Sequence, residues 1–208
     1  IFNFKHKYIF NMMYINFIDF WNGFDKYNNF FFHIFREIYG NVEIRPINEC
    51  DYVIYSVFGN QHLNIDRKKI KKIFYTGENI RPNFNECDYS FTFDFDDYNN
   101  RNIRIPLYYL YLDWFDVKSY GGLSYLLPLN NIETNQFIKT KKHKFCAAVF
   151  SNPVPFRFEL MNKLSEYKKV DGYGVPFNNK SEGELIKYKI ISEYKFSICV
   201  ENSLYDGY

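Results

Sequence analysis

Residues 14–23, Tyr-Ile-Asn-Phe-Ile-Asp-Phe-Trp-Asn-Gly, read as an apolar strand delivered into a tight turn. From Asp25 to Tyr39 the apolar residues then recur at helical spacing, and Gly40 is placed to stop that helix. Asp51 to Phe58 is a β-branched and aromatic run ending at Gly59, and Lys72 to Tyr75 is another, ending in Thr76-Gly77. Strand, helix, strand, connector, strand predicts α/β layering with a largely parallel sheet.

Asp88 to Asp94 and Ile103 to Leu112 also read as extended, with Pro106 demoting the latter to an edge strand or an ordered loop. Periodicity fades from about Lys118 to Lys144, a stretch rich in Gly, Asn, Thr and Lys that reads as a boundary. The α/β pattern then restarts. Phe145 to Phe150 reads as a buried strand, Phe156 to Tyr167 as a helix, Val170-Asp171 as the start of a short extended piece, Glu182 to Ser192 as a helix and Lys195 to Val200 as a buried strand. The expected organisation is a lobe over 1–125, a linker over 126–143 and a second lobe beginning at 144, incomplete where the chain stops at 208. No uninterrupted apolar stretch has the length of a membrane span, because Asn11, Asn16 and Asp19 break the best candidate.

The charge balance, 26 basic against 24 acidic residues along 208, gives no broad footprint for nucleic acid. Two dense basic runs, 67–72 and 139–144, read as the solvated face of a connector and as a linker. The 24 Phe and 20 Tyr accompany abundant Asn, Ile and Lys, so aromatic richness is discounted as a sign of sugar binding. Cys50, Cys87, Cys146 and Cys199 are widely spaced without a C-x-x-C pair, which excludes a dithiol motif. Cys146 and Cys199, in apolar runs, are expected to be buried thiols. The four histidines show no metal-ligand spacing, and neither a dinucleotide fingerprint nor a P-loop is present.

Three places could carry chemistry. Phe74-Tyr75-Thr76-Gly77-Glu78-Asn79 sets a carboxylate just past a strand and a glycine turn, where α/β folds present reactive groups. Glu78 is the candidate general base. Read alone, it equally suits a helix cap or a partner for Arg81. Ser151-Asn152-Pro153 ends a strand and Arg157 opens the next helix, so backbone amides, a helix N-terminus and a guanidinium could converge on a diphosphate. The other reading of Arg157 is a surface residue opposite Glu159 or Glu166. Asp94-Phe95-Asp96-Asp97 contains a D-x-D pattern suited to a divalent cation, but preceding Tyr98-Asn99-Asn100-Arg101 it reads better as a solvated loop.

Taken in order, several of these stretches resemble one family. Tyr75-Thr76-Gly77-Glu78-Asn79, Pro82-Asn83-Phe84, Cys87-Asp88-Tyr89 and Arg104-Ile105-Pro106-Leu107-Tyr108-Tyr109 resemble the acceptor domain of the α-1,3/4-fucosyltransferases, glycosyltransferase family 10. Ser151-Asn152 with Arg157, then Val170-Asp171-Gly172-Tyr173-Gly174, then Cys199-Val200-Glu201-Asn202-Ser203 with Tyr208 resemble that family's donor-binding region. The resemblance implies a two-lobed GT-B architecture of Rossmann-like units. It implies transfer of L-fucose from GDP-β-L-fucose to a glycan hydroxyl, α-1,3 or α-1,4, with inversion.

By the same resemblance Glu78 is the base, and Ser151, Asn152, Arg157, Glu201, Asn202 and Tyr208 contact the donor. The expected partners are GDP-fucose and an oligosaccharide or glycoconjugate acceptor, with no nucleic acid. No cofactor or protein-held metal is required, a divalent cation being at most stimulatory. The family's Thr-Glu-Lys after the last Tyr has no counterpart up to Tyr208, which motivates a second reading, a non-catalytic sugar- or nucleotide-binding relative. A third is a metal-dependent transferase using Asp94 and Asp96. Cytoplasmic, membrane-peripheral and Golgi-lumenal settings all fit, the last if an anchor precedes Ile1.

Overall fold

A computed structural model describes residues 12–121, 126–129, 139–150, 152–174 and 187–208. The chain divides into two compact units, residues 1–129 together with Tyr205–Tyr208, and Asn130–Leu204. Each is an α/β layer built on a parallel sheet.

The first unit holds a six-stranded sheet of β1 (Met13–Ile18), β2 (Val42–Ile44), β3 (Tyr52–Tyr55), β4 (Lys71–Tyr75), β5 (Tyr89–Thr92) and β6 (Asn102–Arg104), in the order β2-β1-β3-β4-β5-β6. Every pairing is parallel, with Ile18 level with Tyr55 and Tyr55 level with Phe74. Side chains alternate between two buried layers. Ile15, Phe17, Ile54, Ile73, Tyr75 and Phe91 pack under helix α1 (Phe30–Tyr39), while Ile18, Val53, Tyr55 and Phe74 pack with Cys50, Ile65, Ile70 and Cys87 on the opposite face. Coverage on both faces is why these strands read as continuous apolar runs. β6 is the edge strand that Pro106 foretold; Pro106 then caps a 3-10 turn over Leu107–Tyr111. β7 (Leu112–Asp113) and β8 (Leu127–Pro128) form a separate parallel pair.

Helix α1 starts five residues later than its periodicity suggests. The Asp25 carboxylate folds back to accept the amides of Tyr27 and Asn28, at 2.8 and 3.2 Å, and the Asn29 side chain caps the helix by accepting the Phe32 amide at 2.9 Å. Short polar side chains that bond their own backbone favour turns and caps over helix interiors. Gly40 ends the helix as expected, its amide on the Arg36 carbonyl.

The connector 67–72 is only partly solvated. Lys68, Lys69 and Lys71 are exposed. Arg67 donates to the carbonyls of Phe84, Asn85 and Cys87, and buried Lys72 donates to the His62 carbonyl at 2.9 Å. Asp88 joins the starts of β4 and β5: its carboxylate accepts the Lys72 amide at 2.9 Å and the Lys71 ammonium at 3.2 Å, with Arg67 at 3.6 Å. Burial alone would raise this carboxyl, but those donors bring it below the ordinary carboxylate range. A folded-state pKa below the unfolded one gives stability that is complete above about pH 4 and is lost as pH falls through the folded value. Asp88→Asn is expected to cost about 1–2 kcal/mol at neutral pH. The difference from wild type in denaturant melts should shrink between about pH 4 and pH 2.

The second unit contains β9 (Lys144–Val149) between β10 (Asp171–Tyr173) and β11 (Tyr194–Ile198), again all parallel. Cys146 and Ala148 pack with Val170, Ile198 and the Met161 and Leu164 side chains of helix α2 (Pro155–Tyr167). Ala147 packs on the other face with Tyr173, Tyr194 and Ile190 of helix α3 (Lys187–Ser192). Residues 182–186 of the expected last helix, and 122–125 and 130–138 of the expected boundary, lie outside the described residues. β11 is not the buried strand its composition suggests. Among the described residues it pairs only with β9, leaving Lys195, Phe196 and Ser197 exposed between buried Tyr194 and Ile198. Cys199, just beyond it, is exposed as well, unlike Cys146.

Candidate active site

In the first unit the carboxyl ends of β1, β3, β4 and β5 share one edge of the sheet, where an α/β fold places its ligands. Beyond β4 the chain turns sharply. The Thr76 hydroxyl, fully buried, accepts the Glu78 amide at 2.8 Å, and the Ile80 amide donates to the Glu78 carbonyl at 2.7 Å. A Cβ on Gly77 would lie 3.1 Å from Leu107 Cδ1 and 3.3 Å from the Tyr75 hydroxyl, so a larger residue here would make those side chains give by a few tenths of an ångström. The backbone of Glu78 is therefore pinned and its side chain exposed, with no hydrogen bond or ion pair to its carboxylate among the described residues. Neither structural reading of Glu78 applies: no helix follows, and Arg81 pairs elsewhere.

Arg81 lies with Nε 3.3 Å from Oδ1 of Asp94, donates from Nη2 to the Asn79 side chain at 2.6 Å, and places its guanidinium over Phe93 and Tyr205. This corrects the solvated-loop reading of Asp94, which is 3% exposed and also receives the hydroxyls of Thr92 and Tyr98. Asp96 and Asp97 accept the amides of Tyr98 and Asn99, at 2.8 and 3.0 Å, and so hold three successive left-handed residues, Tyr98, Asn99 and Asn100. That conformation is costly for L-residues, and carboxylates that bond the local backbone offset the cost. The three acidic side chains are thus engaged in structure, and no group of three or more His, Cys, Asp or Glu gathers at one point among the described residues.

Beside this edge is a depression of about 290 Å³, lined by Phe20, Trp21, Asn22, Phe24, Lys26 and Gln61 among others. Phe20 stacks on Phe24 at 4.0 Å and on Tyr75 at 6.0 Å, while Trp21 meets Phe24 at 5.0 Å and Phe58 at 6.1 Å. Its floor is fixed by Asp19, whose buried carboxylate accepts the amides of Gln61 and His62, both at 3.0 Å, and pairs with His62 Nδ1 at 2.7 Å. Trp21 and Phe58 keep large exposed faces. β1 and β4 are two strand spacings apart, roughly 9–10 Å, and Phe20 reaches across to Tyr75, the last residue of β4. Discounting the aromatic bias hid this cluster in the sequence. The signal was positional, three aromatic residues within six positions of the end of β1.

In the second unit, Arg157 is 6% exposed, which removes the surface reading; Glu159 instead pairs with Lys163 at 2.9 Å. The guanidinium donates to the Val200 carbonyl from Nε at 3.0 Å and from Nη2 at 2.6 Å, and to the Asn152 carbonyl from Nη1 at 3.2 Å. It also lies over Phe150, 4.7 Å from the ring centroid. It thereby ties the loop after β9 to the loop after β11 and brings Asn152, Arg157 and the start of Glu201-Asn202 to one sheet edge. Among the described residues these bonds use three of its five N–H donors, leaving two. Helix α2 begins at Pro155 after Val154, which offers no side-chain cap, so its first amides are left to other acceptors. Glu201 and Asn202 are exposed, and Ser151 lies outside the described residues. Tyr208 packs within the first unit, against Phe93 at 4.9 Å.

Residues 15–111 match the family model of the α-(1,3)-fucosyltransferase FucT N-terminal domain, and residues 138–208 match that of the glycosyltransferase family 10 (fucosyltransferase) C-terminal region. The chain belongs to glycosyltransferase family 10. The family's α-(1,3)-fucosyltransferase FucT from Helicobacter pylori is 31% identical over 185 residues, covering 78% of this chain and 38% of the relative. A solved α1,3-fucosyltransferase superposes with a TM-score of 0.71 at 26% identity, over 94% of this chain and 63% of that one. A second structure, solved with GDP-fucose, gives 0.67 at 26% identity, over 95% and 63%. The chain therefore spans less than two thirds of the family members it matches. No helix among the described residues is long and apolar enough to cross a membrane.

Proposed function

We infer that the protein is an inverting fucosyltransferase moving L-fucose from GDP-β-L-fucose to a glycan hydroxyl in α-1,3 or α-1,4 linkage. The observation that carries this reading is the exposed, unengaged Glu78 carboxylate, held on a pinned loop at the carboxyl edge of a parallel sheet in a family 10 chain. In this reading the two units are the lobes of a GT-B enzyme. The first, to about residue 125, receives the acceptor, and the second, from about 144, binds GDP-fucose.

The acceptor hydroxyl gives its proton to Glu78 as its oxygen attacks the anomeric carbon from the face opposite the nucleotide. The bond from that carbon to the β-phosphate oxygen breaks, and its electron pair leaves with GDP. The two remaining N–H groups of Arg157, the first amides of α2, Ser151, Asn152, Glu201, Asn202 and Tyr208 form the donor side. The Arg157 guanidinium, the first amides of α2 and the Tyr208 hydroxyl would offset charge growing on the diphosphate without a metal held by the protein. The acceptor sugar would rest its apolar face on Trp21 and Phe58. Trp21→Ala is expected to raise the acceptor KM by roughly five- to tenfold and to leave the donor KM unchanged.

The deciding experiment measures GDP release and fucose transfer by the intact gene product, with GDP-fucose and an N-acetyllactosamine acceptor, with and without EDTA. Transfer that survives EDTA supports the reading. Binding of GDP-fucose without turnover would favour a non-catalytic relative, and strict metal dependence would return attention to Asp94 and Asp96.

A further inference from the structure

The first unit contains a stack whose members come from three separate stretches of chain. Arg81, three residues past Glu78, has its guanidinium carbon 3.5 Å from the centroid of Tyr205 and 4.5 Å from that of Phe93, two rings that meet edge-on at 75° with centroids 6.2 Å apart. Beneath it is the buried Asp94 carboxylate, 3.3 Å from Nε. Neither Arg81 Nε nor Asp94 Oδ1 has an aligned hydrogen bond, so the pair attracts as charges, and the two rings pack around the guanidinium. Phe93 also meets Tyr208 at 4.9 Å, and the Tyr208 amide donates to the Tyr205 carbonyl at 3.1 Å, closing a turn over Phe93. Gly207 makes that turn workable. Its φ is +87°, and a Cβ there would lie 2.8 Å from the Phe95 ring and 3.2 Å from the Phe93 carbonyl oxygen.

We propose that Arg81 is a positioning residue of the donor site: stacked under Tyr205 and anchored by Asp94, it holds the Tyr205–Tyr208 turn, and with it Tyr208, against the segment that carries Glu78. The proposal rests on the reading of Tyr208 as a donor contact. The role suits Arg, whose planar cation can lie on the Tyr205 face and still meet both Phe93 and the Asp94 carboxylate. Lysine would keep the charge opposite Asp94 and lose the flat faces. The stack gives Asp94 its ionic partner, and the turn it holds brings Gly207 against the Phe95 ring and the Phe93 carbonyl.

The test compares Arg81→Ala, Arg81→Lys, Tyr205→Leu and Tyr205→Phe in the intact gene product. Arg81→Ala and Tyr205→Leu are expected to raise the GDP-fucose KM roughly tenfold, with kcat at saturating donor within about threefold of wild type. Tyr205→Phe should match wild type and Arg81→Lys should fall between. A general loss of folded protein would lower the apparent kcat and leave the donor KM alone. Donor KM values within about twofold of wild type in both Arg81→Ala and Tyr205→Leu overturn the proposal. Hydrogen exchange of the Tyr208 amide, measured without ligand, separates this from the assignment of the reaction. If the wild type turns over no GDP-fucose, the fucosyltransferase reading fails, and exchange alone then decides the stack: faster in Arg81→Ala sustains it, unchanged overturns it.

Discussion

Glu78→Gln is expected to lower fucose transfer by roughly a hundred- to ten-thousandfold while GDP binding stays at the wild-type level. Gln keeps the size and the hydrogen-bonding reach of the side chain and removes only its capacity to take a proton. The loop itself should not notice, because Thr76 and Ile80 hold Glu78 through its backbone and the carboxylate engages nothing. The substitution therefore tests chemistry rather than fold. Calorimetric GDP titration and single-turnover transfer with labelled donor are the paired measurements. Transfer within tenfold of wild type would place the base elsewhere, and simultaneous loss of GDP binding would make Glu78 a structural residue.

Arg157→Ala should affect two quantities at once. As a donor to the departing diphosphate it is worth about 2.7–4 kcal/mol of transition-state stabilisation, a loss of roughly a hundred- to a thousandfold in kcat. As the buried bridge from helix α2 to the Val200 and Asn152 carbonyls it also holds the second unit together, and leaving those acceptors unpaired costs about 1–3 kcal/mol. The two contributions separate on the temperature axis. Turnover measured well below the melting midpoint reports the first, and the midpoint reports the second. Arg157→Lys should recover part of the turnover and little of the midpoint, since one ammonium cannot span two carbonyls as a guanidinium does. A rate close to wild type in Arg157→Ala would refute the donor role and leave the bridge as its whole purpose.

The longer strands of both units, β1, β3, β4 and β9, were legible as short apolar runs, because parallel pairing buries both faces of such runs, whereas β2, β7 and β8, two or three residues long, were not. The position of Glu78 was legible for a related reason, a carboxylate just after a strand and a glycine. What the sequence could not show was tertiary. Periodicity extended α1 back to Asp25 because apolar spacing does not reveal that Asp25 and Asn29 take the amides a helix would use. Asp94 looked solvated because nothing local announces that Arg81 lies against it. β11 looked buried because composition does not say which strand falls at an edge. Arg157 was legible as a donor candidate at a helix start, but not as the bridge to the Val200 carbonyl, which lies 43 positions away.

The uniformly parallel pairing of the six-stranded sheet also sets how it can assemble. No described strand pairs with another through a hairpin: Met13 must find Val42, Ile15 must find Tyr52, and Ile54 must find Ile73 before any of them has a neighbour. Loop closure precedes every rewarded contact, so refolding belongs on the millisecond-to-second scale rather than the microsecond scale of local folds. β1 has partners on both sides, and both are synthesised after it. During translation its apolar run waits unpaired, and the yield of folded protein from a fast, warm expression host should be governed by that interval.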